Sequence, residues 1–259
     1  MAQNNGGLVY AAQTGEGPPI DVVVTRKRDG VHLQTGGRSR VANELVRRIL
    51  SMNFPLGDFR RACADRDDKV TLRLARAGWG RLLRSATPWE DAAKTLCTTN
   101  ASWGHTQRMC SGLCDVLGET TPSGVRAFPT PRAVLKAGRS VLESTVRVGY
   151  RSKALLDLAE RADSGVLPWL TGSNGLPPEE ELLKEVGSWR GFGPYAAHHT
   201  MVLLGYHRYL PIDREVAKYL ASVPGLENRM GSAFEEWGEF RFTAYKLNRV
   251  ARRLNWIGD

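Results

Sequence analysis

The sequence predicts a mainly α-helical protein, a two-part helical body with a small antiparallel β element near its N-terminal end. Three observations carry that expectation. From Val41 onward, apolar residues recur at helical spacing, as in Val41, Leu45 and Ile49. The stretch Leu182–Val216, LLKEVGSWRGFGPYAAHHTMVLLGYHRYLPIDREV, reads as helix, tight glycine hairpin, helix. Asp21–Thr25 and Val31–Thr35 are β-prone runs separated by a basic stretch ending in Asp29-Gly30, a hairpin signature.

Composition bounds the rest. At 259 residues and 42% hydrophobic content the chain can build a substantial core. No run of about 18 uncharged apolar residues occurs, and MAQNNGGLVY has neither a basic lead nor a long apolar segment, so an intracellular protein is expected. The formal charge of +9 suits a polyanionic partner. Cys63, Cys97, Cys110 and Cys114 lack paired CxxC spacing and read as buried thiols rather than zinc ligands.

In chain order, residues 1–19, rich in Gly, Asn, Gln and Pro, read as a flexible tail, and 20–85 as an N-terminal α+β part. Its first helix carries Val41, Leu45 and Ile49 inward with Arg47 and Arg48 outward, and Phe54-Pro55 breaks it. A second helix runs from about Leu56 into the charged stretch Asp65–Lys69, and Gly78-Trp79-Gly80 punctuates before Arg81-Leu82-Leu83-Arg84. The helical body, 86–259, begins at Thr87-Pro88-Trp89-Glu90, which supplies a cap, a proline at the first helical position and an acid in the first turn. That helix ends in Leu96-Cys97-Thr98-Thr99-Asn100; Phe128-Pro129-Thr130-Pro131 turns into another, Val148-Gly149-Tyr150-Arg151 opens a third, and Thr171–Pro178 forms an exposed loop.

The hairpin follows, at 182–204. Gly191 and Gly193 permit positive φ and close approach of a ligand to the backbone, and Pro194 sits where a helix needs no N–H. Free N–H groups at that helix start can grip one phosphate. Pro211-Ile212-Asp213 then heads a helix, 213–223, with Val216, Leu220 and Val223 on one face. The last helix, Phe234 to Trp256, carries a buried stripe of Phe240, Ala244, Leu247, Ala251 and Leu254, with Lys246 among its solvated basic residues.

Gly-Phe-Gly followed twenty residues later by Asp213, preceded in order by Gly80-Arg81-Leu82-Leu83-Arg84 with Pro88 after it, by Cys97-Thr98-Thr99-Asn100 and by Gly149-Tyr150-Arg151, resembles the helix-hairpin-helix DNA glycosylases. Within that superfamily the chain is most similar to the 8-oxoguanine DNA glycosylases and next to the alkylpurine enzymes. The resemblance covers about residues 20–259 and implies base excision from damaged double-stranded DNA by a monomer, located with DNA in the cytoplasm or nucleus. It implies that Asp213 is catalytic, that Asn100 fills the gap left by the extruded base, that Tyr150 wedges into the base stack with Arg151 on phosphate, and that Gly191, Phe192, Gly193 and Tyr195 hold the strand. It further implies a base pocket at His199, Glu239 and Thr243, and a monovalent cation, Na⁺ or K⁺, on hairpin carbonyls. Nothing after Cys114 can build the iron–sulfur loop of the endonuclease III branch, and no metal site is expected.

Tyr195 stands where bifunctional members place the lysine that attacks C1′. A phenol forms no imine, so a monofunctional glycosylase is expected; Lys184, Lys218 and the terminal amine have no position that argues for a substitute. The alternatives are a bifunctional glycosylase/lyase and a non-catalytic DNA-binding protein that uses the hairpin for phosphate alone.

Overall fold

The computed structural model describes residues 2–4, 7–13, 17–27, 30–35, 39–172 and 175–256. Contacts divide the chain into two compact units: Met1–Ile49 with Arg84–Phe192, and Leu50–Leu83 with Gly193–Asp259. Each is discontinuous, unlike the contiguous 20–85 and 86–259 parts expected. No helix among the described residues is long and apolar enough to cross a membrane.

The first unit opens with a four-stranded antiparallel meander, β1 (Ala2–Asn4), β2 (Gly7–Ala12), β3 (Ile20–Lys27) and β4 (Gly30–Thr35), in sequential order. The expected β3–β4 hairpin is present, with Val24 opposite Leu33; Asp29 of its turn lies outside the described residues. The flexible-tail reading of 1–19 is corrected by β1 and β2. Val9 pairs with Val23 and Tyr10 with Val22, and Val9, Tyr10, Ala11 and Ala12 are buried. Composition alone hid a strand whose stability comes from pairing with residues further along the chain.

Among the described residues, seven α-helices belong to this unit: α1 (Ser39–Ile49), then, after the second unit's first segment, α4 (Pro88–Thr98), α5 (Trp103–Leu117), α6 (Pro131–Ser144), α7 (Ser152–Asp163), α8 (Pro168–Thr171) and α9 (Glu179–Ser188). In α1 the buried stripe is Ala42, Val46 and Ile49, leaving Val41 exposed. Arg48, expected outward, reaches Asp91 at 2.5 Å. The start of α4 is as read, with Thr87 accepting from the Glu90 N–H and Pro88 at the first position. Its acids, however, are buried: Glu90 accepts from the Tyr10 hydroxyl and from Lys94 at 2.5 Å, and Asp91 also accepts from the Ser85 N–H at 2.8 Å. Burial pushes the Asp91 carboxyl and the Tyr10 phenol upward, so these groups rely on their mutual hydrogen bonds.

The second unit holds α2 (Leu56–Asp65), α3 (Lys69–Arg76), α10 (Pro194–Leu204), α11 (Arg214–Ala221) and α12 (Arg241–Arg253). Phe59, Leu74, Val202, Leu220, Leu247 and Tyr245 form the centre of its core, each burial of that kind contributing about 1.5–3 kcal/mol. The last helix begins later than expected because Gly238, at φ 50 and ψ −119, interrupts the 3₁₀ stretch Glu235–Phe240. Ala244, Leu247 and Ala251 are buried as expected, whereas Leu254 is exposed and Phe240 only partly covered.

Candidate active site

The hairpin is built by asymmetric use of its two glycines. Gly191 takes φ +81, and a Cβ placed there would stand 2.9 Å from Leu96 Cδ1 and 3.5 Å from Ala154 Cβ. Gly193, by contrast, sits at φ −87 and ψ −176, so only Gly191 uses the left-handed freedom. Phe192 between them is buried, edge-on to Trp189 at 5.1 Å, and Trp189 stacks on Trp169 at 5.8 Å. Gly191→Ala is expected to cost about 2–3 kcal/mol, combining left-handed strain with the Leu96 clash; a thermal unfolding midpoint several degrees lower than that of the wild type checks it.

Gly193 is the N-cap of α10 and offers no side-chain oxygen, so the N–H groups of the first turn have no side-chain cap. Pro194 occupies the first position as read. One residue later Tyr195 points along the helix and stacks on His199, with centroids 5.7 Å apart and planes 14° from parallel. The i, i+4 spacing makes this stack a direct consequence of the sequence.

Asp213 caps α11, its Oδ1 accepting from the Val216 N–H at 2.7 Å. The side chain is half-buried, and the cap leaves the second carboxylate oxygen for another partner. Its charge is felt by His199 and Lys246. Burial of the imidazole, reinforced by the Lys246 ammonium and opposed by Asp213, lowers His199 to about 4. Burial and Arg249 likewise lower Lys246, with Asp213 again opposing. Three residues from α10, α11 and α12 therefore form one electrostatic group: a carboxylate, a neutral imidazole and a lysine. The sequence reading of a solvated basic face holds for Lys246, which is exposed; what that reading did not give is that the ammonium lies within the field of Asp213.

The His199 shift has a testable consequence for stability. Its folded pKa lies below the ordinary 6.5, so on acidification the unfolded chain takes up a proton before the folded one does. Stability due to this group is thus full above pH 6.5 and is lost as pH falls toward about 4. His199→Gln should flatten the stability–pH curve in that window by on the order of 3 kcal/mol, read by denaturant titration at a series of pH values.

The expected base-pocket residues separate. Thr243 is buried and bonds His207 Nδ1 at 2.7 Å, while also lining, with Trp79, Gly80, Phe242 and Lys246, a cavity of about 200 Å³. Glu239 is exposed and paired with Arg208, outside that lining, because the Gly238 break turns it away from the α12 face. His198 contacts the Leu210 carbonyl at 3.4 Å and His207 packs against Phe54, so the three histidines serve three environments. No group of three His, Cys, Asp or Glu side chains that could hold a metal ion occurs among the described residues.

In the first unit, Asn100 is exposed at φ 47 immediately after α4, and Tyr150 is 66% exposed on the 3₁₀ turn Gly149–Arg151. Arg151 departs from its expected phosphate role. It is buried, donates to the Thr99 carbonyl and lies 4.5 Å from the Tyr150 ring, so it bolts the Asn100 turn to the Tyr150 turn. Lys153, two residues further on, is exposed. Cys63 and Cys97 are buried thiols as read, and Cys110 and Cys114 are half-covered.

No protein-family model matches this sequence, and no curated protein does. Among solved structures, it is similar to the Clostridium acetobutylicum 8-oxoguanine glycosylase/lyase in complex with double-stranded DNA containing cytosine opposite 8-oxoG. The TM-score is 0.74 at 19% identity, over 98% of this chain and 88% of that one. The apo form of the same enzyme gives 0.74 at 20% identity over 96% and 87%. The 3-methyladenine DNA glycosylase from Archaeoglobus fulgidus gives 0.67 at 18% identity over 96% and 82%. With its glycine hairpin, capped Asp213 helix and N-terminal meander, the chain has the fold of the helix-hairpin-helix DNA glycosylases.

Proposed function

We propose that this protein is a monofunctional DNA glycosylase that extrudes a damaged purine, oxidised or alkylated, from double-stranded DNA and hydrolyses its N-glycosidic bond. The observation that carries the reading is Asp213, whose half-buried carboxylate caps α11 with one oxygen and shares its surroundings with a neutral His199 and with Lys246. Breaking the bond gives the sugar oxocarbenium character, and a fixed negative charge beside C1′ stabilises it while orienting or deprotonating the attacking water. A damaged base costs less to unstack, which favours its entry. The cavity beside Lys246 and Thr243, smaller than the roughly 300–1,000 Å³ of drug-sized sites, is in scale for one heterocycle. The uncapped first turn of α10 receives a phosphate, positioning the strand without reading sequence.

Tyr195 supports hydrolysis without strand cleavage, since its phenol is held in a stack on His199 and offers no amine. Backbone carbonyls of the hairpin are hard oxygen donors of the kind an alkali cation, Na⁺ or K⁺, takes. Glu239, exposed and ion-paired, would reach a bound base only by leaving Arg208, so His199 and Thr243 are the better pocket candidates. The test is a panel of duplexes, each with one oxidised or alkylated purine, incubated with the protein and split with and without hot alkali. Base release with strand breaks appearing only after alkali is the expected result; release of no base from any duplex rejects the enzyme.

A further inference from the structure

A cavity of about 490 Å³ lies wholly within the first unit, inside the range of roughly 300–1,000 Å³ typical of small-molecule sites. It is bordered by Gln13 just beyond β2, by Thr87, Trp89 and Glu90 at the start of α4, by Phe128 before α6 and by Asp163 at the end of α7. None of these residues belongs to the Asp213 group, and the glycosylase reading gives them no task. Two donors in the wall are unmet. Gln13 is 7% exposed, and its amide nitrogen is sealed from solvent without a hydrogen-bond partner, which folded proteins rarely tolerate. Thr87 is buried too; its Oγ1 accepts from the Glu90 N–H at 3.2 Å, which leaves the hydroxyl proton for another acceptor. The buried carboxylate and indole, by contrast, are already matched. Glu90 accepts from the Tyr10 hydroxyl and pairs with Lys94, and the Trp89 N–H donates to the Pro129 carbonyl at 2.9 Å, so Trp89 and Phe128 give the cavity apolar wall. At the rim, exposed Arg132 and Asp163 carry opposite charges.

Balanced charge asks for a neutral occupant, apolar wall for a flat ring, and unmet donors for acceptors on that ring. A glutamine amide turns between broad wells about its last torsion, so the sealed N–H can swing toward an acceptor that arrives. We infer that this cavity binds an uncharged nucleoside whose base carries a ring carbonyl. The carbonyl oxygen and a ring nitrogen accept from Gln13 and Thr87, and the sugar hydroxyls meet Arg132 and Asp163 at the rim. The inference concerns the first unit alone and does not rest on the glycosylase reading.

Calorimetric titration of the intact chain with inosine is expected to give a dissociation constant on the order of 0.1 mM. Purine riboside, the same nucleoside without the carbonyl oxygen, should bind roughly tenfold more weakly, because a donor in the wall stays unmet. Both measurements use the wild type, so neither depends on a variant folding. Gln13→Leu should lower inosine affinity to that of purine riboside and leave the melting midpoint of the free protein unchanged or higher, since an apolar group replaces an unpaired amide. Ala162→Leu, which extends a side chain from α7 into the cavity, should weaken inosine binding as well. Absence of inosine binding at about 1 mM overturns the inference, and so does equal affinity for the two nucleosides. Inosine binding that neither substitution weakens would place the nucleoside elsewhere and overturn it too. Presence or absence of base excision changes none of these outcomes.

Discussion

Asp213→Asn should slow single-turnover base release by roughly a thousandfold or more while leaving the fold and DNA affinity nearly intact. Removing a fixed charge opposite a developing cation costs about 10²–10³ in rate, and losing a positioned base costs about 10²–10⁴; here both reside in one side chain, so the losses overlap. The substitution is diagnostic because Asp213 also has a structural duty. Its Oδ1 caps α11 through the Val216 N–H, and asparagine caps helices about as well as aspartate. Only the favourable interaction of the charge with the helix N-terminus is lost, about 0.3–1 kcal/mol. A variant that melts near the wild-type midpoint, binds abasic-analogue DNA and releases no base assigns the chemistry to the charge. Wild-type release by Asp213→Asn would reduce Asp213 to a cap and move the chemistry to another group.

What the sequence disclosed and what it concealed divide along one physical line. Pro194 at a helix start, Asp213 as a cap and Thr87 as another were legible because each depends on neighbours within four residues. Tyr195 over His199 belongs to the same class, although the stack itself was not foreseen. Arg151 looked like a phosphate ligand, yet its guanidinium is spent on a carbonyl 52 residues away. Glu90 read as a first-turn acid and no more, and its partner Tyr10 lies 80 residues upstream, on a strand that composition alone read as a tail. Lys246 joins Asp213 only through the packing of α12, and no local pattern marks it apart from Arg249 or Arg252. Gly193 carried a glycine's signature without using its freedom, because the backbone there is extended and its lack of a side chain leaves the helix start open.

The complementary prediction concerns Tyr195. Wild-type protein incubated with abasic-site DNA and sodium borohydride is expected to give no covalent adduct, and Tyr195→Lys is expected to give one. The geometry makes the gain plausible in chemical steps. The introduced amine would start from the second position of α10, one turn before His199, whose imidazole lies within the influence of Asp213. The loss of the ring stack with His199 costs about 0.5–1.5 kcal/mol, which a core of this size tolerates. Two features favour a nucleophilic amine there: the neutral imidazole adds no competing charge, and the Lys246 ammonium disfavours a second cation nearby, lowering the new pKa. The amine adds to the C1′ aldehyde of the ring-opened sugar, water departs to leave an imine, and borohydride delivers hydride to fix the link as a secondary amine. An adduct with the wild type would mean that some existing amine already reaches C1′, and Lys246, the lysine that shares Asp213's field with its own pKa pushed down, would be the first to replace with alanine. Absence of an adduct from both proteins, with base release intact, would place the Tyr195 side chain away from the sugar and make its role in this fold the support of His199 rather than the exclusion of a lyase step.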